Sequence, residues 1–119
     1  MYKALLILGS EDFRISLCDA LQDAYDVTVC DSCHAREEML HRQYDVLILD
    51  LFLPGIDGLT ILKQVQDCRP PIVLMLTKFI SPYILQEASD LGLDFIIRVP
   101  CILSTIINHL NDMVKEKLG

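Results

Sequence analysis

Apolar residues along this chain gather into short dense runs, separated by longer stretches in which they recur every three or four positions. Residues 5–8, 27–30, 46–49, 72–76 and 95–99 make the runs, each too short for a helix. A strand of a parallel sheet reads this way when both of its faces are covered, because neither side meets water. The stretches between them read as helices. In residues 11–24, Phe13, Leu17 and Leu21 repeat at fourfold spacing and mark one buried face. Residues 34–42 give a weaker helix through Met39 and Leu40, and residues 59–66 a third that Arg69-Pro70-Pro71 stops. Ser81 followed by Pro82 is an N-cap with a first-turn proline, opening a helix that runs to Leu91 and ends at Gly92. Residues 102–118 form the last and longest helix, free of proline and glycine.

Strands alternating with helices, with no internal repeat, specify an α/β three-layer sandwich with right-handed crossovers. A length of 119 residues, 52% of them hydrophobic and 23% charged, leaves room for one globular domain with a large core. The net charge of -7, with ten scattered Lys and Arg, argues against nucleic acid as a direct ligand, so proteins are the expected partners. No stretch reads as a membrane span, and the apolar run near the N-terminus lacks a small-residue cleavage site and reads as the first strand. Five cysteines, an odd number without a secretory signal, point to a reducing, cytoplasmic setting. Cys30-Asp31-Ser32-Cys33-His34 matches a haem-attachment spacing, and with His41 it can be drawn as a zinc cluster. The simpler reading is a strand end followed by a turn, where Asp31 or Ser32 caps the next helix.

The run at residues 46–49 delivers Asp50 to the carboxyl end of its strand, where open parallel sheets bind ligands. The chain then turns on Pro54, Gly55 and Gly58, with Asp57 placed to cap the helix that follows. The segment Leu49-Asp50-Leu51-Phe52-Leu53-Pro54-Gly55-Ile56-Asp57-Gly58-Leu59 resembles the phosphoacceptor segment of response-regulator receiver domains, the flavodoxin-like modules of two-component signalling. The resemblance extends over residues 3–118 and makes residues 1–119 one receiver domain. It implies a five-stranded parallel sheet of order 2-1-3-4-5 and Asp50 as phosphoacceptor. It also implies a sensor histidine kinase or phosphotransfer protein as donor and an effector domain as recipient. On this reading the chain is a signalling module and not an enzyme. Its polar ending, residues 115–119, is where the family's linker to an output domain, often a transcriptional one, would begin.

The same resemblance implies a Mg2+ ion held by an acidic pair after the first strand, by Asp50, and by the carbonyl of Phe52. Here the acidic pair falls on Gly9 and Ser10, so Mg2+ is expected to bind weakly unless a rebuilt loop brings Glu11 to it. The family's lysine before a proline corresponds to Val99-Pro100, whose peptide bond is expected to be cis. Arg98 lies one residue early and should point to the other face of its strand, whereas Lys78 is placed to reach Asp50 as a substitute cation. Thr77 matches the switch hydroxyl, and the switch aromatic is replaced by Ile96, with Phe95 expected in the core on the opposite face. Two functions follow: a phosphorylated regulator acting through Asp50, or a phosphorylation-independent interaction module. An unrelated nucleotide-binding enzyme would need a glycine-rich phosphate loop, which the chain lacks. In the last helix, Ile102 and Ile106 lie about 100° around the axis from Leu103 and Ile107. The row Ile102, Ile106, Leu110 is therefore expected on the surface, as a homodimer interface formed with the fourth helix and fifth strand.

Overall fold

A computed structural model describes residues 1–119. The elements are β1 (Tyr2–Ile7), α1 (Glu11–Leu21), β2 (Tyr25–Val29), a 3-10 turn (Ser32–His34), α2 (Ala35–His41) and β3 (Val46–Asp50). There follow α3 (Gly58–Gln64), β4 (Ile72–Thr77), α4 (Pro82–Asp90), β5 (Phe95–Arg98) and α5 (Leu103–Lys117). All strand pairs are parallel, in the order β2-β1-β3-β4-β5. Alternate residues of the strands feed two cores. Leu6, Ile48 and Leu74 pack with Leu17 of α1 and with Ile106 and Leu110 of α5. On the other face Leu5, Leu47 and Val73 meet Met39 of α2, Ile61 of α3 and Ala88 of α4. Each such side chain removed from water contributes roughly 1.5–3 kcal/mol.

Element ends differ from the sequence expectation where polar residues continue a strand. Tyr2 and Lys3 pair with Tyr25 and Asp26, so β1 and β2 begin earlier than their apolar runs. The early start of β2 cuts α1 short at Leu21, and the Ala24 amide closes the turn onto the Leu21 carbonyl at 3.0 Å.

The α5 row is a correction. Ile106 and Leu110 are fully buried against the sheet, while Ile102, the N-cap of α5, is 72% exposed. Both apolar rows of the helix meet the core, because Leu103 and Ile107 also pack against it at partial burial. The surface therefore keeps only Ile102 from the expected interface row. Phe95 is a second correction: it is on the α5 side of β5, but it stacks on His109 at 4.2 Å and remains 40% exposed.

The loop between β3 and α3 is held by close backbone approach. Gly55 has a φ of 79°, a left-handed conformation that favours glycine. The Gly58 amide donates to the Leu51 carbonyl at 2.7 Å, and a Cβ at position 58 would lie 2.3 Å from the Asp50 carbonyl oxygen. Gly58→Ala should therefore cost about 1–3 kcal/mol in urea unfolding, because backbone and not a flexible side chain must yield. Leu110→Ala should cost about 2–5 kcal/mol in the same assay. Ile102→Glu should shift stability by no more than about 0.5 kcal/mol, which separates the core part of that row from its exposed end.

Candidate functional site

The carboxyl ends of β1, β3, β4 and β5 border one open cleft of about 550 Å3, with Asp50 on its wall. Gly9 and Ser10 come to it from the end of β1, Phe52 to Pro54 from β3, Thr77 to Phe79 from β4, and Val99 from β5. This follows from topology: in a parallel sheet every strand ends on the same side, and β1 and β3 are neighbours with their crossovers on opposite faces. Asp50 is the last residue of β3 and only partly exposed. Its Oδ2 accepts the Gly9 amide at 2.7 Å. Burial pushes the Asp50 carboxyl above the usual carboxylate range, and the Gly9 hydrogen bond opposes that shift.

Position 9 decides what the cleft can hold. A Cβ there would stand 3.4 Å from the Phe52 carbonyl oxygen and 3.5 Å from Asp50 Oδ2, so a side chain would run out between two oxygens. Nothing in the backbone demands glycine, since the positive-φ glycines are Gly55 and Gly92. Ser10 lines the cleft, but its hydroxyl accepts the Phe13 amide at 3.3 Å as the N-cap of α1. Glu11 is the first residue of α1, exposed and outside the cleft lining. Ser10 caps α1 directly before Glu11, which sets Glu11 as the first helical residue outside the cleft lining. The oxygens nearest to position 9 are thus the Asp50 carboxylate and the Phe52 carbonyl.

Cations are as sparse as oxygens. Val99 stands on the cleft wall, and Val99-Pro100 is a cis peptide. Arg98 is exposed and outside the cleft lining. Lys78 lines the mouth but is exposed, and none of the chain's five ion pairs involves it or Asp50. Thr77 is buried, and its hydroxyl both donates to the Phe79 carbonyl at 3.0 Å and accepts the Phe79 amide at 3.1 Å. Ile96 lies beside Met75 of β4 and packs on the helix side that carries α3 and α4.

Two residues of the cleft escaped the sequence reading as side chains. Phe52 and Phe79 meet edge to face at 6.1 Å, 58% and 67% exposed, and form an aromatic rim over the Asp50 wall. The signal available was an aromatic just beyond the carboxyl end of each of two adjacent strands.

The family model for the response regulator receiver domain matches residues 6–111. Among curated relatives, the transcriptional regulatory protein GlnL of Bacillus subtilis is 30% identical over 65% of this chain and 24% of its own length. The response regulator ArlR of Staphylococcus saprophyticus is 28% identical over 98% of this chain and 54% of its own. The chain thus spans between about a quarter and about half of these relatives. The chemotaxis protein CheY4 of Vibrio cholerae has a similar structure, with TM-score 0.86 and 27% identity, covering 94% of this chain and 98% of that one. A CheY-like receiver domain from Methanospirillum hungatei superposes with TM-score 0.90 at 18% identity, over 100% and 99% of the two chains, and shows the shared fold. The match runs from β1 into α5 and the sheet has the order expected of it: the chain belongs to the response regulator receiver domain family of two-component signalling.

Proposed function

We propose that this receiver domain acts as a protein-interaction module whose Asp50 face is recognised without Mg2+-dependent phosphorylation. The observation that carries this reading is Gly9. The acidic ligand of the family's Mg2+ site would stand at this position, between Asp50 and the Phe52 carbonyl, and glycine leaves the space empty of oxygen. Mg2+ demands near-octahedral oxygen ligation, and one carboxylate with one carbonyl is a poor set for it. The residues present do not fit the ion. Val99 adds a second deficit, since no fixed ammonium faces the position a phosphoryl group would take. The rival reading, Asp50 as phosphoacceptor for a histidine kinase or phosphotransfer protein, is favoured by the retained carboxylate at the end of β3 and by Thr77 in the same cleft.

In either reading the domain serves an effector, attached or separate, in a reducing cytoplasm that suits its five free cysteines. Nucleic acid is not bound directly by this acidic domain. A homodimer through α4, β5 and α5 would use Ile102 at its edge.

Titration of the wild-type chain with Mg2+ and beryllofluoride, followed by amide NMR at Gly9 and Thr77, should show no saturable shift in the millimolar range. Saturable binding would restore the phosphoacceptor reading. Gly9→Asp should create Mg2+ binding visible in the same spectra, because its carboxylate enters the space between the two existing oxygens.

A second prediction concerns pH. The folded-state pKa of Asp50 is raised, chiefly by burial, so the folded chain binds this proton more tightly than the unfolded chain. Wild-type stability therefore falls, relative to Asp50→Asn, as pH rises from the unfolded pKa through the folded one. Thermal melts from acidic to neutral pH should show Asp50→Asn gaining on wild type and then holding a constant lead. Asn keeps an acceptor for the Gly9 amide, so the difference reports the charge.

A further inference from the structure

A second cluster of reactive groups lies away from Asp50, on a polar groove of about 840 Å3 that α1, β2 and α2 border. Asp31 and His34 line this groove, and the 3-10 turn Ser32–His34 brings three unlike donors together: the Asp31 carboxylate, the Cys33 thiol and the His34 imidazole, whose ligand atoms all lie within 4.8 Å of one another. Cys33 Sγ is 3.3 Å from His34 Nδ1, and Asp31 Oδ2 is 3.8 Å from the same nitrogen. With Zn–N and Zn–O bonds near 2.0–2.2 Å and Zn–S near 2.3 Å, neighbouring donors of a tetrahedral zinc stand roughly 3.3–3.7 Å apart. The two separations from His34 are thus close to the edge lengths of that tetrahedron, and the Asp31–Cys33 pair lies within 4.8 Å.

Their local duties leave them free. Asp31 is at the N-cap of the turn and His34 at the N-cap of α2, yet neither side chain makes a capping hydrogen bond. Both are open to solvent, with 78% and 62% of their side-chain surface exposed. The sequence pattern alone also offered Cys30 and His41, and the structure removes both. Cys30 packs against the core under α2, and His41 stands outside the group of donors whose ligand atoms lie within 4.8 Å of one another.

We propose that Asp31, Cys33 and His34 form a binding site for a borderline transition-metal ion of the Zn2+ class, with water in the fourth position. Thiolate and imidazole donors select such ions over Mg2+ and Ca2+. As the metal–sulfur bond forms, the Cys33 thiol gives its proton to solvent. Three protein ligands on one exposed turn make the metal exchangeable, so occupancy of the site follows metal supply.

Co2+ serves as probe, because cobalt bound to a thiolate adds a near-ultraviolet charge-transfer band and tetrahedral cobalt intense visible bands. Reduced 119-residue chain titrated with Co2+ should develop both at one equivalent, and Zn2+ should bleach them while Mg2+ does not. Cys33→Ser should abolish the charge-transfer band, and His34→Gln and Asp31→Asn should each weaken binding by roughly tenfold or more. Cys68→Ser and Cys101→Ser should leave the spectrum unchanged. All three ligand positions are exposed, so circular dichroism should show these variants folded. Absence of a thiolate band in wild type at excess Co2+, or its persistence in folded Cys33→Ser, would overturn the site.

Discussion

The Asp50 carboxylate ends a strand that has no face to water, and the one polar group inside the protein that bonds it is the backbone amide of Gly9. Much of the structure serves that meeting. Val46 to Leu49 must be covered on both faces, so helices are needed on both sides of the sheet, and right-handed crossovers put β1 and β3 side by side. The neighbouring strand then arrives with its own carboxyl end beside that of β3, and the second residue of its loop, Gly9, supplies the donor. Gly58 fixes the other side of the same residue, by packing its bare Cα under the Asp50 carbonyl. The residue is thus held by backbone on two sides, Gly9 at its carboxylate and Gly58 at its carbonyl, and its carboxylate is paired with no side-chain charge.

That balance explains the electrostatics of the cleft. A carboxylate taken partly out of water is expensive unless charge or hydrogen bonds replace the lost hydration. Here one amide supplies the replacement, and the wall opposite is Val99 and the Phe52–Phe79 pair instead of cations. Thr77 cannot make up the difference as placed, because its hydroxyl is occupied twice by the Phe79 backbone. The cleft thus holds one carboxylate that no cation pairs with.

Most of the fold could be read from the chain because the signals were redundant: Val46 to Leu49 and Ile72 to Leu76 are apolar at every position, and Ser81-Pro82 marks a helix start with two residues. That Asp50, Gly9 and Val99 would meet at one cleft was legible because a strand end and a motif fixed their registers. Other features were not, for physical reasons. The angle between the two rows of α5 was correct, but two apolar rows do not say which faces the sheet, and Ile106 and Leu110 turned inward. The need for glycine at position 58 arises from a tertiary approach of backbone that no local pattern encodes. Ser10 looked like a failed metal ligand, while its capping of α1 is what carries Glu11 away from the cleft. Lys78 is near Asp50 in sequence register, yet an exposed flexible ammonium gains little from a pair it would have to be ordered to make.

The sheet order has a consequence for how the cleft comes into being. The bond from Gly9 to Asp50 spans 41 residues, and β1 can pair with β3 only after the whole β1-α1-β2-α2 segment has folded back on itself. Loop closure of that length is entropically costly before any contact rewards it, and parallel sheets fold slowly for this reason. The cleft therefore has no local precursor. Its walls come from four separated segments, with Val99 arriving last, so recognition of this face by a partner is recognition of the completed fold, and a partly folded chain offers nothing to bind.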